Sequence, residues 1–224
     1  MVYRKTEFVE RKRQEARERI VGAAVRLLSS HGWRGCGLKA IAKEAGVASG
    51  SIYTHFDKIA DLHLEVYKMI FEQERAAVVE IAESDRSPTE RLIAALDTFT
   101  GRALRGRIQA YAMMGSPVPP ELETLRQQSR HRLAQPFAEI IREGVEAGEF
   151  ADVDPATTAA CMLGAINESL ISPISEQAAS QPDSSKALCS NVVSFCLQSV
   201  GAVSAARAMR RRTNNKDKTK KATA

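Results

Sequence analysis

Aromatic side chains are scarce in this 224-residue chain, at 5% of the sequence with a single tryptophan. Strands draw heavily on aromatic and β-branched residues, so this shortage, set beside plentiful Ala, Leu, Arg and Glu, points to helices. Long apolar runs are missing too. None approaches the roughly 20 residues that span a membrane, and the first residues are charged rather than signal-like, so a cytoplasmic location is expected. The four cysteines, Cys36, Cys161, Cys189 and Cys196, show no C-x-x-C spacing. Scattered in this way they are expected to be reduced and packed as small hydrophobes, with redox sensing by Cys36 as the alternative. Catalysis by His131 with Glu139 or Glu143, or by Cys161, has no supporting nucleophile-elbow, phosphate-loop or metal-ligand spacing. No enzyme activity, metal or cofactor is expected.

What is present is concentrated between Leu38 and Phe56, LKAIAKEAGVASGSIYTHF. Leu38, Ile41, Ala42 and Ala45 fall at i, i+3, i+4 and i+7, one face of a helix. Gly46 stands where a chain leaving a helix needs a left-handed backbone, and Val47 plugs the corner. A second helix of about two turns is predicted from Ser49 to His55, with Ile52 and Phe56 turned inward. Its outer face carries Ser49, Ser51, Thr54 and His55, small polar groups suited to reading base edges in a major groove. Gly50 permits close approach to a sugar-phosphate backbone, and the Tyr53 hydroxyl reaches phosphate from the same place. Asp57 is placed to cap the helix that follows. The pattern is that of a helix-turn-helix.

These residues resemble the DNA-binding domain of the TetR family of transcriptional regulators. The resemblance runs through Ala24-Val25-Arg26-Leu27-Leu28, His31-Gly32-Trp33, Ile41-Ala42, Ala45-Gly46-Val47, Ser49-Gly50-Ser51-Ile52-Tyr53, His55-Phe56 and Leu62, about the first 65 residues. Beyond them only length and helical character agree. The resemblance implies a homodimer, a helical effector-binding domain and, most often, repression released by a small molecule. Three positions depart from the family pattern. Gly37 replaces the Ser or Thr that usually caps the second helix, and Ala48 replaces the usual Ser before the recognition helix. Ile59 replaces the usual Lys, with Lys58 one position early. Each departure removes an expected phosphate anchor.

The net charge of +5 is unevenly spread: residues 1–68 carry +5, residues 69–206 carry −7 and residues 207–224 carry +7. A polyanion is therefore drawn to both ends and repelled by the middle. Residues 1–12 lack periodicity and read as a basic arm whose Arg4, Lys5, Arg11 and Lys12, with the adjacent Arg13, reach phosphates. A solvated helix extension with interleaved Glu7, Glu10 and Glu15 is the alternative. A first helix is expected from Gln14 to Ser30, and Trp33 is expected to pack on the helix-turn-helix. Further helices are expected at 57–83, from Ser87 (a capping box with Glu90), at 120–147 with a kink or break at Pro136, from Asp154, and at 184–209. The tail at 210–224 reads as disordered.

The fold class is thus all-α. An N-terminal three-helix helix-turn-helix DNA-binding domain (1–60) precedes a helical effector-binding and dimerisation domain (61–209). The last two helices are almost free of charge, which calls for pairing with the same helices of a second chain or for burial within one subunit. DNA contacts are expected from Ser49, Ser51, Thr54 and His55 to base edges, with packing as the alternative for His55. Tyr53, Gly50, Lys39 and Lys58 are expected on the backbone. Phe99, Arg107, Tyr111, Met113, Met114, His131, Phe137 and Asn167 are the unusual residues of the body. They suit a pocket for a largely apolar effector, or a core. The expected partners are a double-stranded inverted-repeat operator, a small-molecule effector and a second copy of the chain, with no membrane. A ligand-independent activator or architectural DNA-binding protein is the other reading.

Overall fold

The computed structural model describes residues 2–175 and 182–205; the basic tail expected at 210–224 lies outside them. Every regular element among the described residues is helical: α1 (Val2–Gly35), α2 (Leu38–Ala45), α3 (Ser49–Ile52), α4 (Ile59–Ala82), α5 (Pro88–Arg105), α6 (Arg107–Met114), α7 (Pro120–Glu146), α8 (Pro155–Ile174) and α9 (Pro182–Ser199). No helix among them is long and apolar enough to cross a membrane. The chain divides into two compact units, residues 1–72 with 108–126, and residues 73–107 with the chain from 127 onward.

The first unit closes around the stripes read from the sequence. Ile20, Ala24 and Leu28 of α1 meet Ile41, Ala42 and Ala45 of α2, together with Ile52, Phe56, Leu62, Val66 and Ile70. The unit therefore runs past residue 60, because the first three turns of α4 supply core side chains. It also takes in Ala112 and Met113 of α6, which the sequence reading assigned to the body. Gly46, at φ 67°, donates its N–H back to α2 carbonyls, so the turn between α2 and α3 has the left-handed residue it requires.

Between α1 and the start of α4, helix boundaries differ from expectation in four places. The N-terminal residues are no loose arm: α1 is helical from Val2, and Arg11 and Lys12 pair with Glu15 one turn on. It also continues past Ser30 to Gly35, with a kink at Gly32. α3 keeps only one helical turn, and α4 starts at Ile59 instead of Asp57. The carboxylate at that start is Asp61's, which accepts the Lys58 N–H at 3.0 Å.

Ala48 occupies the N-cap of α3 in an extended conformation and offers no side-chain acceptor. Ala48→Ser is therefore expected to stabilise the protein by about 0.5–2 kcal/mol in chemical denaturation, since a hydroxyl there satisfies an orphan N–H.

In the second unit the start signals hold. Ser87 and Glu90 form the reciprocal capping box of α5, and Asp154 caps α8 by accepting the Thr157 N–H at 2.8 Å. α7 is not divided at Pro136; one helix runs through it. α8 and α9 pack on α5 and on each other. α9 stops at Ser199 rather than 209, because the chain turns at Gly201 with φ 77°. A Cβ there would sit 3.0 Å from the Ala151 side chain, so backbone angle and close approach both require glycine.

Candidate nucleic-acid interface

The recognition segment is too short to hold itself, so its neighbours position it. Ile52 is fully buried and Phe56 nearly so, anchoring the inward side. Beyond the single turn of α3 the chain stays coiled through backbone bonds from Tyr53, Thr54 and His55 to carbonyls three residues earlier. α1 supplies two straps. Arg13 Nη2 donates to the Thr54 carbonyl at 3.3 Å. Arg17 pairs with Glu65 of α4 and lays its guanidinium over the Phe56 ring, 4.8 Å from the centroid. Arg26 Nε donates to Glu44 at 2.8 Å and ties α1 to α2.

On the outer side Tyr53 is 51% exposed, and Gly50, Thr54, Lys39 and Lys58 are exposed. Ser49, Ser51 and His55 are half-buried. A Cβ built at Gly50 meets nothing within 4 Å, so the surface there is open to an approaching ligand. The Thr54 hydroxyl donates to the Ser51 carbonyl at 2.7 Å, leaving its oxygen lone pairs outward for acceptance. His55 lies between its two proposed roles. Its Nδ1 is buried without a partner. Burial, then the charges of Arg13 and Arg17, holds its imidazole below the ordinary histidine value, so the ring is neutral at pH 7. At Gly37 the N-cap of α2 carries no side-chain bond, as the missing hydroxyl implied.

Behind this surface lies a cluster that periodicity could not disclose. His63 Nε2 stands 2.9 Å from the Cys36 carbonyl, and its ring meets Trp33 at a centroid distance of 5.3 Å. Burial pushes the His63 pKa down, and its bond to Cys36 partly offsets this. Trp33 packs on the head as expected and donates its indole N–H to the Ala112 carbonyl of α6 at 2.9 Å. Cys36 is buried and its thiol is pushed up to about 11, which makes it a packed hydrophobe with little thiolate character. The spacing of Arg13 and Arg17, one turn apart on α1, was the available signal for the straps.

The residues proposed for an effector pocket are distributed over both units. Tyr111, Met113 and Met114 belong to the first unit, where Met113 packs against the head core. Phe99, Arg107, His131, Phe137 and Asn167 belong to the second. There Phe137 is fully buried, His131 is exposed, and Arg107 donates to the Pro173 carbonyl. The second unit has an open cleft of about 540 Å³, and none of these side chains lines it.

A short polar turn, anchored by two apolar residues and strapped to a longer helix, defines a helix-turn-helix head of the kind found in DNA-binding regulators. Residues 20–66 match the family described as bacterial regulatory proteins, tetR family, and residues 85–170 match its tetracyclin repressor-like C-terminal domain. The chain belongs to the TetR family of transcriptional regulators. It is 43% identical over 56 residues to the HTH-type transcriptional regulator AcrR of Shigella flexneri, covering 25% of this chain and 26% of that one. With LmrA of Bacillus subtilis strain 168 it shares 35% identity over 83 residues, covering 37% and 44%. The chain thus matches less than half the length of either relative. The FadR regulator of Bacillus subtilis, solved in complex with stearoyl-CoA, superposes with a TM-score of 0.66 at 21% identity over 82% of this chain and 98% of that one. At that identity the likeness is one of fold.

Proposed function

We propose that this protein is a cytoplasmic, dimeric repressor that binds an inverted-repeat operator and leaves it when a small molecule binds the helical unit. The observation that carries the DNA half is the exposed edge of α3, where Gly50 and Tyr53 stand clear of a buried Ile52 anchor. Ser49, Ser51, Thr54 and His55 read base edges, while Tyr53, Gly50, Lys39 and Lys58 meet the sugar-phosphate backbone. Family membership supports the regulatory role. Phe99, Arg107, Tyr111, Met113, Met114, Phe137 and Asn167 remain the candidates for contact with a largely apolar effector.

Sequencing the fragments retained by the purified protein from sheared genomic DNA tests the reading. A two-fold-related motif is expected, and retention without sequence preference overturns it. Promoter fusions with and without the gene then separate repression from activation. Tyr53→Phe removes one hydroxyl from an exposed ring, so the melting temperature should stay put while operator affinity drops about tenfold. Unchanged affinity in a gel-shift titration rules out its phosphate contact.

A further inference from the structure

α1 does not end where the head ends. Its Ile20, Ala24 and Leu28 lie in the head core, Arg17 covers the Phe56 ring about one turn earlier, and Arg13 reaches the Thr54 carbonyl a turn before that. The helix thus runs outward from the core past the recognition segment, and it continues for about three more turns to Val2. At 1.5 Å per residue, Phe8 stands about 7.5 Å beyond the Arg13 strap. Residues 8–14 are all exposed, so no core holds this overhang.

Two of its exposed residues are large and apolar, Phe8 at 52% and Val9 at 58% exposure. Single exposed apolar residues are ordinary, but this pair stands on a projecting helix beside cations. Arg11 and Lys12, three and four residues on from Phe8, hold their charges 5.5 and 5.9 Å from the centre of its ring. Both also pair with Glu15 in solvent, contacts weak enough to yield to a phosphate. Residues 1–13 carry a net +3. A projecting helix of this charge, with an apolar tip next to the recognition segment, fits a polyanion that has a groove. The minor groove of duplex DNA is such a surface, narrow, edged by phosphates and adjacent to the major groove. The turn itself brings few anchors to those phosphates, since the N-caps Gly37 and Ala48 carry no hydroxyl and make no side-chain bond.

We infer that the overhang of α1 is a second DNA-binding element, in which Phe8 wedges into the minor groove beside the major groove read by α3 while Arg11 and Lys12 bind the phosphates at its edge. The inference rests on the operator reading above and adds to it a contact outside the helix-turn-helix. A phenyl ring inserted at a base step unstacks it and bends the duplex toward the major groove, which brings more DNA against the head. The operator therefore extends beyond the bases that α3 touches. Sequence at that flank counts through the ease of unstacking, not through hydrogen bonds to base edges. The phosphates held by the overhang replace the anchors that Gly37 and Ala48 do not offer.

The test uses the full chain and the duplex it retains from genomic fragments, extended by about one helical turn on each side. Phe8→Ala should weaken binding by at least about tenfold, the usual loss when an aromatic ring is removed from stacked bases. Arg11→Gln with Lys12→Gln should flatten the dependence of log K on log salt by roughly 2 per bound chain. Hydroxyl-radical cleavage of the deoxyriboses should show a protected minor-groove patch outside the inverted repeat, and Phe8→Ala should abolish it. The melting temperature, the helical signal in circular dichroism and the mass in light scattering should not change, because residues 8–12 are exposed. Normal affinity of Phe8→Ala, an unchanged footprint or an unchanged salt slope each overturns the inference and leaves the operator reading in place. So does a fall in the mass of free Phe8→Ala protein, which would make the overhang a contact between copies. If no duplex is retained with sequence preference, the operator reading falls and the wedge falls with it.

Discussion

Ile52→Ala is expected to destabilise the protein by about 2–5 kcal/mol, read as the shift of a chemical denaturation curve. The size follows from how little else holds the recognition segment. A single turn has no helical stability of its own, since nucleation costs more than one turn returns. Its cap position is an alanine without an acceptor. What fixes α3 is the burial of Ile52 at 0% exposure among α1, α2 and α4 residues, with Phe56 beside it. Removing three methyl or methylene groups leaves a cavity beneath the polar edge, and the surrounding helices are too well tied to collapse into it. Arg26–Glu44 and Arg17–Glu65 keep α1 registered on α2 and α4. The turn therefore loses its seat while the scaffold remains, and operator binding should vanish at temperatures where the protein is still folded. A loss of less than about 1 kcal/mol would show that α3 is held by its backbone bonds and straps instead.

The head was legible in the sequence because its elements obey local rules. The stripe Leu38–Ala45, the left-handed Gly46 and the inward pair Ile52 and Phe56 all follow from periodicity and backbone sterics. So do the caps at Ser87 and Asp154, where an oxygen acceptor stands three residues before a free N–H. What escaped was set by long-range contact. Nothing local says that Arg13 reaches the Thr54 carbonyl 41 residues away, or that Trp33 bonds Ala112 across 79. Charged residues 1–12 lack an apolar stripe, yet they continue a helix whose i,i+3 and i,i+4 ion pairs suit it. The division of the chain was missed for the same reason. α6 looks like part of the body by sequence order, but its Ala112 and Met113 side chains complete the head core. The open cleft of the second unit was hidden because Arg75, Arg91 and Glu143, which line it, lie on three helices.

The second large effect concerns pairing of the chains. The inward stripe of α8 is Ala159, Met162, Leu163, Ile166 and Leu170, all buried within the subunit. Thr157, Ala160, Cys161, Gly164 and Glu168 fall on the opposite face at i, i+3, i+4, i+7 and i+11, and all are exposed. On α9, Phe195 is 54% exposed. Small side chains along one helix with an exposed aromatic on its neighbour let two copies approach closely about a two-fold axis. A Cβ at Gly164 meets nothing within 4 Å, so a side chain added there disturbs no contact of its own subunit. Gly164→Glu with Phe195→Glu places four carboxylates in the paired interface and none in the core. If the chains pair as proposed, light scattering should report two chains for the unaltered protein and one for this variant. Operator affinity should fall about 10²–10⁴-fold, since two half-sites would no longer be engaged by one linked particle. The helical signal in circular dichroism should be retained, which separates lost pairing from lost folding. A variant that still sediments as a pair and still binds the inverted repeat would move the interface elsewhere on the molecule.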